Sequence, residues 1–137
     1  MKHLLILSAC LIFSHSIQAQ DTDLDQVTET LEYYLEGGTN NDFATHKKAF
    51  HETATMRYIR DGYQEVNAID FFKKAIKPGP KQNRTTRIVF VDIAGPAAQA
   101  RLEIEYETFM FIDYMNLLKI DGEWKVVSKI FHRQPKS

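Results

Sequence analysis

The spacing of apolar positions changes partway along the chain. Between residues 21 and 36, Leu24, Val27, Leu31, Tyr34 and Leu35 recur at steps of three and four, the spacing of one helix face. Asp21, Thr22 and Asp23 offer an N-cap, and Gly37-Gly38 is expected to end this helix in the left-handed conformation. Asn41-Asp42 then caps a second, shorter helix carrying Phe43, His46, Lys47 and Phe50, with His51 at its end where the chain enters a hairpin. That hairpin joins residues 55–60 to 63–66 around Asp61-Gly62. Asn67 caps a third helix anchored by Phe71, Phe72, Ala75 and Ile76, and Pro78-Gly79-Pro80 stops it.

Beyond residue 84 the period drops to two. Residues 85–94 are rich in β-branched side chains and end at Gly95-Pro96. Residues 97–106 alternate most cleanly: Ala98, Ala100, Leu102, Ile104 and Tyr106 on one side, Gln99, Arg101, Glu103 and Glu105 on the other. The stretch from Phe109 to Ile120 is mainly apolar on both parities, which predicts a strand covered on both faces. Asp121-Gly122 is the strongest hairpin signal in the chain and leads into a last strand over 124–132. No Gly, Pro or Asn marks the turn between Tyr106 and Phe111. Helices followed by antiparallel strands predict an α+β architecture, three N-terminal helices packed on one face of a curved sheet with a cavity between the layers.

The first residues add a compartment. Lys2, an apolar run from Leu4 to Ile17, and Ala19 follow the plan of a cleavable export signal, cut after Ala19, leaving one domain over 20–137. The run is too short and too interrupted for a spanning helix, so stable membrane insertion is not expected. Leu7-Ser8-Ala9-Cys10 resembles a lipobox, but its apolar region would be only Leu4 to Leu7, and the residues after Cys10 are apolar where a tether should be polar. Cys10 is the sole cysteine, so the exported domain, periplasmic or secreted, would hold no disulfide and no cysteine metal site. Losing Lys2 with the leader takes the formal net charge from −1 to −2, which favours neither nucleic acid nor a membrane surface as partner. Lys73, Lys74, Lys77, Lys81, Arg84 and Arg87 form the one basic stretch, read as a solvated helix end and loop in preference to an anion-binding patch.

Three stretches carry a family resemblance: Tyr34-Leu35-Glu36-Gly37-Gly38, Ala49-Phe50-His51 before Ala54, and Asp113-Tyr114-Met115-Asn116-Leu117-Leu118 running on through Asp121-Gly122-Glu123-Trp124 to Val127. They resemble the NTF2-like superfamily, closest to the group labelled putative lumazine-binding or SnoaL-like. The resemblance implies a cone with an internal pocket and a homodimer formed through the sheet. It implies no single reaction, because this fold hosts isomerases, dehydratases, cyclases and non-catalytic binders.

The residues themselves offer a few candidates for chemistry. Asp113 lies in a strand apolar on both faces, so its carboxylate must be paired or protonated: a pocket acid or base, or a structural group accepting hydrogen bonds. His51 and His132 are the candidate proton-transfer partners, His132 because it shares the parity of Trp124, Val126 and Ile130. His46 is five positions from His51, so at about 100° per residue the two are not a helical metal pair. With no cysteine ligand and no clustered histidines, no metal site is expected. Tyr58, Tyr106, Tyr114 and Phe111 are candidate cavity-lining residues, with plain core packing as the alternative. The resulting expectation is an exported small-molecule-binding or accessory domain. The alternative is a dehydratase-like lyase or isomerase using Asp113 with a histidine, and neither reading calls for a cofactor.

Overall fold

The apolar stripe of the first segment becomes helix α1 (22–39) in the computed structural model, which describes residues 22–137. The export signal and its cleavage site lie outside the described residues. Val27, Leu31, Tyr34 and Leu35 are buried along one side of α1. The helix runs through Gly37-Gly38 instead of ending there. The reason is close packing: a Cβ on Gly37 would stand 2.3 Å from the backbone nitrogen of His46. Bare backbone at this point lets the next helix pack against α1, and the left-handed residue of the turn is Asn41, at φ 54°. Asp42 caps α2 (Phe43–Lys47), its carboxylate accepting from the Thr45 N–H.

Helix α2 is only five residues long, so Phe50 and His51 fall in strand β1 (Phe50–Ile59) and not in the helix expected to carry them. Asp61 and Gly62, both at positive φ, turn the chain into β2 (Tyr63–Asn67). Asn67 caps α3 (Ala68–Ala75), accepting from the Asp70 N–H. Four strands follow: β3 (Thr85–Ala94), β4 (Ala97–Glu105), β5 (Phe109–Ile120) and β6 (Glu123–Pro135). The unmarked turn between β4 and β5 is closed by a bond from the Tyr106 N–H to the Phe109 carbonyl, 2.8 Å.

The six strands form one curved sheet in the order β2-β1-β6-β5-β4-β3. Neighbours are antiparallel except β1 and β6, which run parallel and join the early hairpin to the late meander. The core lies between α1 and the inner sheet face, where Val27 and Leu31 meet a layer containing Leu102, Met115, Leu117 and Val126. Among the described residues no helix is long and apolar enough to cross a membrane.

One irregularity positions everything that follows. Asn116 pairs with Ser128, but the next residue, Leu117, pairs with Val126, so Val127 is an extra residue on β6. A bulge of this kind reverses the parity of the strand beyond it. Trp124 and Val126 face inward before the bulge, and Lys129 and Phe131 face inward after it. Ile130 and His132 are thereby turned to the outer face, correcting the parity argument that had aimed His132 at the core.

Candidate functional site

Past the bulge, the inner sheet face carries a buried ion pair. Lys129 Nζ donates to Asp113 Oδ1 at 2.8 Å, and the two side chains are 4 % and 1 % exposed. From α1, the Tyr34 hydroxyl donates to Asp113 Oδ2 at 2.6 Å. Both carboxylate oxygens are therefore engaged. Burial draws the Lys129 amine below its ordinary range while the Asp113 charge pulls it back up. Tyr34 is pushed well above the usual phenol range, first by burial and then by the Asp113 charge. The Lys129 ammonium also lies 4.1 Å from the centre of the Phe131 ring.

His46, from α2, completes the group. Its Nδ1 lies 2.9 Å from the Tyr34 carbonyl oxygen, which can only accept, so Nδ1 carries the proton and Nε2 presents a lone pair. Nε2 is buried and has no hydrogen-bond partner among the described residues. Burial lowers the His46 pKa to about 3, the Tyr34 carbonyl opposing and the Arg84 and Lys129 charges adding to the fall, so the ring is neutral at ordinary pH. Tyr34, Phe50 and Phe72 surround the ring, with centroids 4.7, 5.6 and 4.4 Å away.

These groups open onto a cavity of about 220 Å³ between the helices and the sheet. Phe71, Phe72, Phe111 and Phe131 form much of its apolar wall. Polar groups complete the lining where the segment between α3 and β3 meets Tyr106. Tyr106 donates its hydroxyl to Gln82 Oε1 at 2.8 Å and accepts from Arg84 Nη1 at 2.9 Å. Of the basic stretch, Lys73, Lys74, Lys77, Lys81 and Arg87 are exposed, while Arg84 is half-buried and turned into this lining.

The structure thus brings Asp113, Tyr106 and Phe111 together around one cavity. Tyr58 does not line the cavity and packs behind its wall, tilted against the Phe131 ring at 4.9 Å and edge-on to Phe71 at 6.3 Å. Tyr114 is on the outer sheet face, 38 % exposed, because neighbouring strand residues point to opposite sides. His51 bonds locally to the Thr53 hydroxyl at 2.8 Å, outside the cavity, and His132 is exposed. Neither histidine paired with Asp113 on paper reaches it. The groups that do are Lys129 and Tyr34, the latter part of the apolar stripe of α1. His46, the histidine of the cavity, had been weighed only as half of a metal pair. Among the described residues no cluster of three or more His, Cys, Asp or Glu side chains is placed to hold a metal ion.

Comparison with known proteins fits this geometry. A crystal structure of an NTF2-like protein of unknown function from Shewanella baltica superposes with a TM-score of 0.76 at 31 % identity, covering 84 % of this chain and 96 % of that one. A second, from Methylobacillus flagellatus, gives 0.72 at 34 % identity, covering 82 % and 93 %. Among curated proteins, the aldolase FrzH of Cladobotryum sp is 24 % identical over 118 residues, 84 % of this chain and 94 % of that protein. The family model described as Putative lumazine-binding matches residues 22–132, and the chain belongs to that family, with an NTF2-like fold.

Proposed function

We propose that this protein binds a small, partly apolar molecule in the cavity between its helices and its sheet. The observation that carries the reading is the cavity itself: about 220 Å³, lined by phenylalanines and by a few polar groups. An apolar cavity of roughly 150 Å³ already admits benzene, so this one has room for a two-ring molecule. The unpartnered Nε2 of His46 supports the same reading, because a buried acceptor without a donor is costly and a ligand hydroxyl or amide relieves it. Titration calorimetry with 2-naphthamide, a neutral two-ring probe, should show one saturable site. Ala75→Trp, at an exposed residue on the cavity wall, should abolish it. Failure of 2-naphthamide and of its carboxylate counterpart to bind would sink the proposal.

A lyase reading draws support from the aldolase relative, which this chain matches over most of its length. Its residues would be Asp113, Lys129 and Tyr34, because His51 and His132 do not reach the cavity. Against it stands the double engagement of Asp113, whose charge is already neutralised by Lys129 and whose second oxygen accepts from Tyr34, which makes it a weak base toward a substrate.

Two further points belong to the same proposal. Tyr114, Leu118 and Ile130 leave an apolar strip on the outer sheet face, 38 %, 41 % and 53 % exposed, that no described element covers. A second copy of the chain is the proposed cover, and sedimentation at micromolar concentration should show a dimer, whereas a strict monomer would overturn it. Export is proposed from the leader anatomy of residues 1–19, and N-terminal mass analysis should find Gln20 first. A diacylated Cys10 would refute cleavage after Ala19 and the unanchored compartment that follows from it.

A further inference from the structure

The charges around the cavity do not balance. Lys129 and Asp113 neutralise each other at 2.8 Å, and His46 is neutral. Arg84 remains. It donates through Nε to the Thr39 hydroxyl at 2.8 Å, through Nη1 to the Tyr106 hydroxyl at 2.9 Å and through Nη2 to the Leu35 carbonyl at 3.0 Å. All three acceptors are uncharged, and among the described residues Arg84 forms no ion pair with a carboxylate. A guanidinium has five N–H donors and does not lose its charge in a protein, so two donors and a full positive charge are left on a side chain that lines the cavity. Arg60 adds a second guanidinium at the exposed edge of the same cavity, also without an ion pair. The carbonyl end of α1, against which Arg84 lies, offsets only about half a charge.

The chain makes room for this arrangement. A Cβ on Gly38 would stand 2.5 Å from Arg84 Nη2, so the glycine leaves the place that the guanidinium fills. The φ of Gly38 lies outside the left-handed region, so it is clearance and not backbone freedom that the position uses. Thr39, Leu35 and Tyr106 then hold the fork from three sides. Burying part of a cation against neutral acceptors is unfavourable unless an anion joins it.

Building on the binding function proposed above, we infer that the ligand of this cavity is an organic monoanion, its carboxylate on the free donors of Arg84 and its apolar body against Phe71, Phe72, Phe111 and Phe131. Arginine and carboxylate match geometrically and make charge-assisted bonds about twice as strong as neutral ones. A cationic ligand would meet two guanidiniums of its own sign.

Two probes of one shape test this by calorimetry: 2-naphthoate and 2-naphthamide, on wild type, Arg84→Gln and Gly38→Ala. Wild type should bind the carboxylate about tenfold more tightly than the amide, because only the carboxylate brings a charge opposite to that of Arg84. Gly38→Ala suits the helix and moves only the end of Arg84, so it should bring the carboxylate down to the affinity of the amide. Arg84→Gln should do the same. Equal affinity for both probes in wild type would overturn the anion assignment and leave the cavity proposal standing, a result that needs no variant to fold. Binding of neither probe would overturn both. A carboxylate preference that survives in both variants would overturn the role of Arg84.

Discussion

The two ends of the β5–β6 ladder are equally buried and chemically opposite. Toward the hairpin, Leu117 and Val126 are 1 % and 0 % exposed and join Val27 and Leu31 in one apolar core. A few residues further along the same strands, Asp113 is 0 % exposed but faces Lys129, Tyr34 and a cavity. The Val127 bulge separates the two ends. Burial alone therefore does not mark a site. What marks it is burial joined to charge, to an unpartnered acceptor and to unfilled space.

The sharpest break of this comparison is Asp113→Ala, which leaves a buried ammonium without a counter-ion. It should cost about 3–5 kcal/mol in denaturant unfolding, and replacing both partners, Asp113→Leu with Lys129→Met, should recover most of that loss. A double variant as unstable as the single one would show that the pair is favourable in its own right. At the filled end, Leu117→Ala should cost about 2–5 kcal/mol by leaving a cavity. It should leave 2-naphthamide affinity unchanged, whereas weakened binding would show that the two ends are coupled.

The next effect is a slope with pH. The folded pKa of His46, about 3, lies below its ordinary 6.5, so between these values the unfolded chain holds a proton that the folded chain does not. Stability is full above pH 6.5 and falls as the pH drops toward 3, by up to about 1.4 kcal/mol per unit. The window from pH 6.5 to 5 precedes most carboxylate titration. In His46→Phe the slope there should flatten, and an unchanged slope would remove His46 as its cause. The smallest effects should come from His51→Ala and His132→Ala, each within about 0.5 kcal/mol and neutral for probe binding. Loss of binding in either would reinstate that histidine at the site.

What the sequence disclosed follows the same division. Features whose cause is local were legible: the helix stripe from Val27 to Leu35, the Asp42 and Asn67 caps, the alternation of β4 and the Asp121-Gly122 turn, at φ 51° and 83°. Asp113 stood out because it interrupts an apolar strand. Its partners did not, because Lys129 is 16 residues away and Tyr34 is 79. A bulge belongs to two strands at once, so the run Val126-Val127-Ser128-Lys129 gives no sign of it, and counting by twos placed His132 inside. Gly37-Gly38 has the composition of a helix stop and serves as a contact surface, which only the position of α2 and Arg84 reveals. The parallel pairing of β1 with β6 has no local signature at all.

That parallel pairing also sets an order of assembly. Strands β3 to β6 are joined by short turns, so their ladders close over small loops and can form early. Strand β1 must instead find residues 126–130, more than seventy positions later, and loop-closure entropy makes such long-range contacts late. During synthesis, which runs at about 5–20 residues per second, Tyr34 and His46 emerge well before Asp113 and Lys129. The helices and the β1–β2 hairpin can pack on one another through Tyr34, Phe50 and Phe72, but the edge of β1 stays unpaired until the last strand arrives. Cutting the chain before β6 removes Lys129 and the docking edge of β1 together, leaving the two halves of the molecule with no sheet in common.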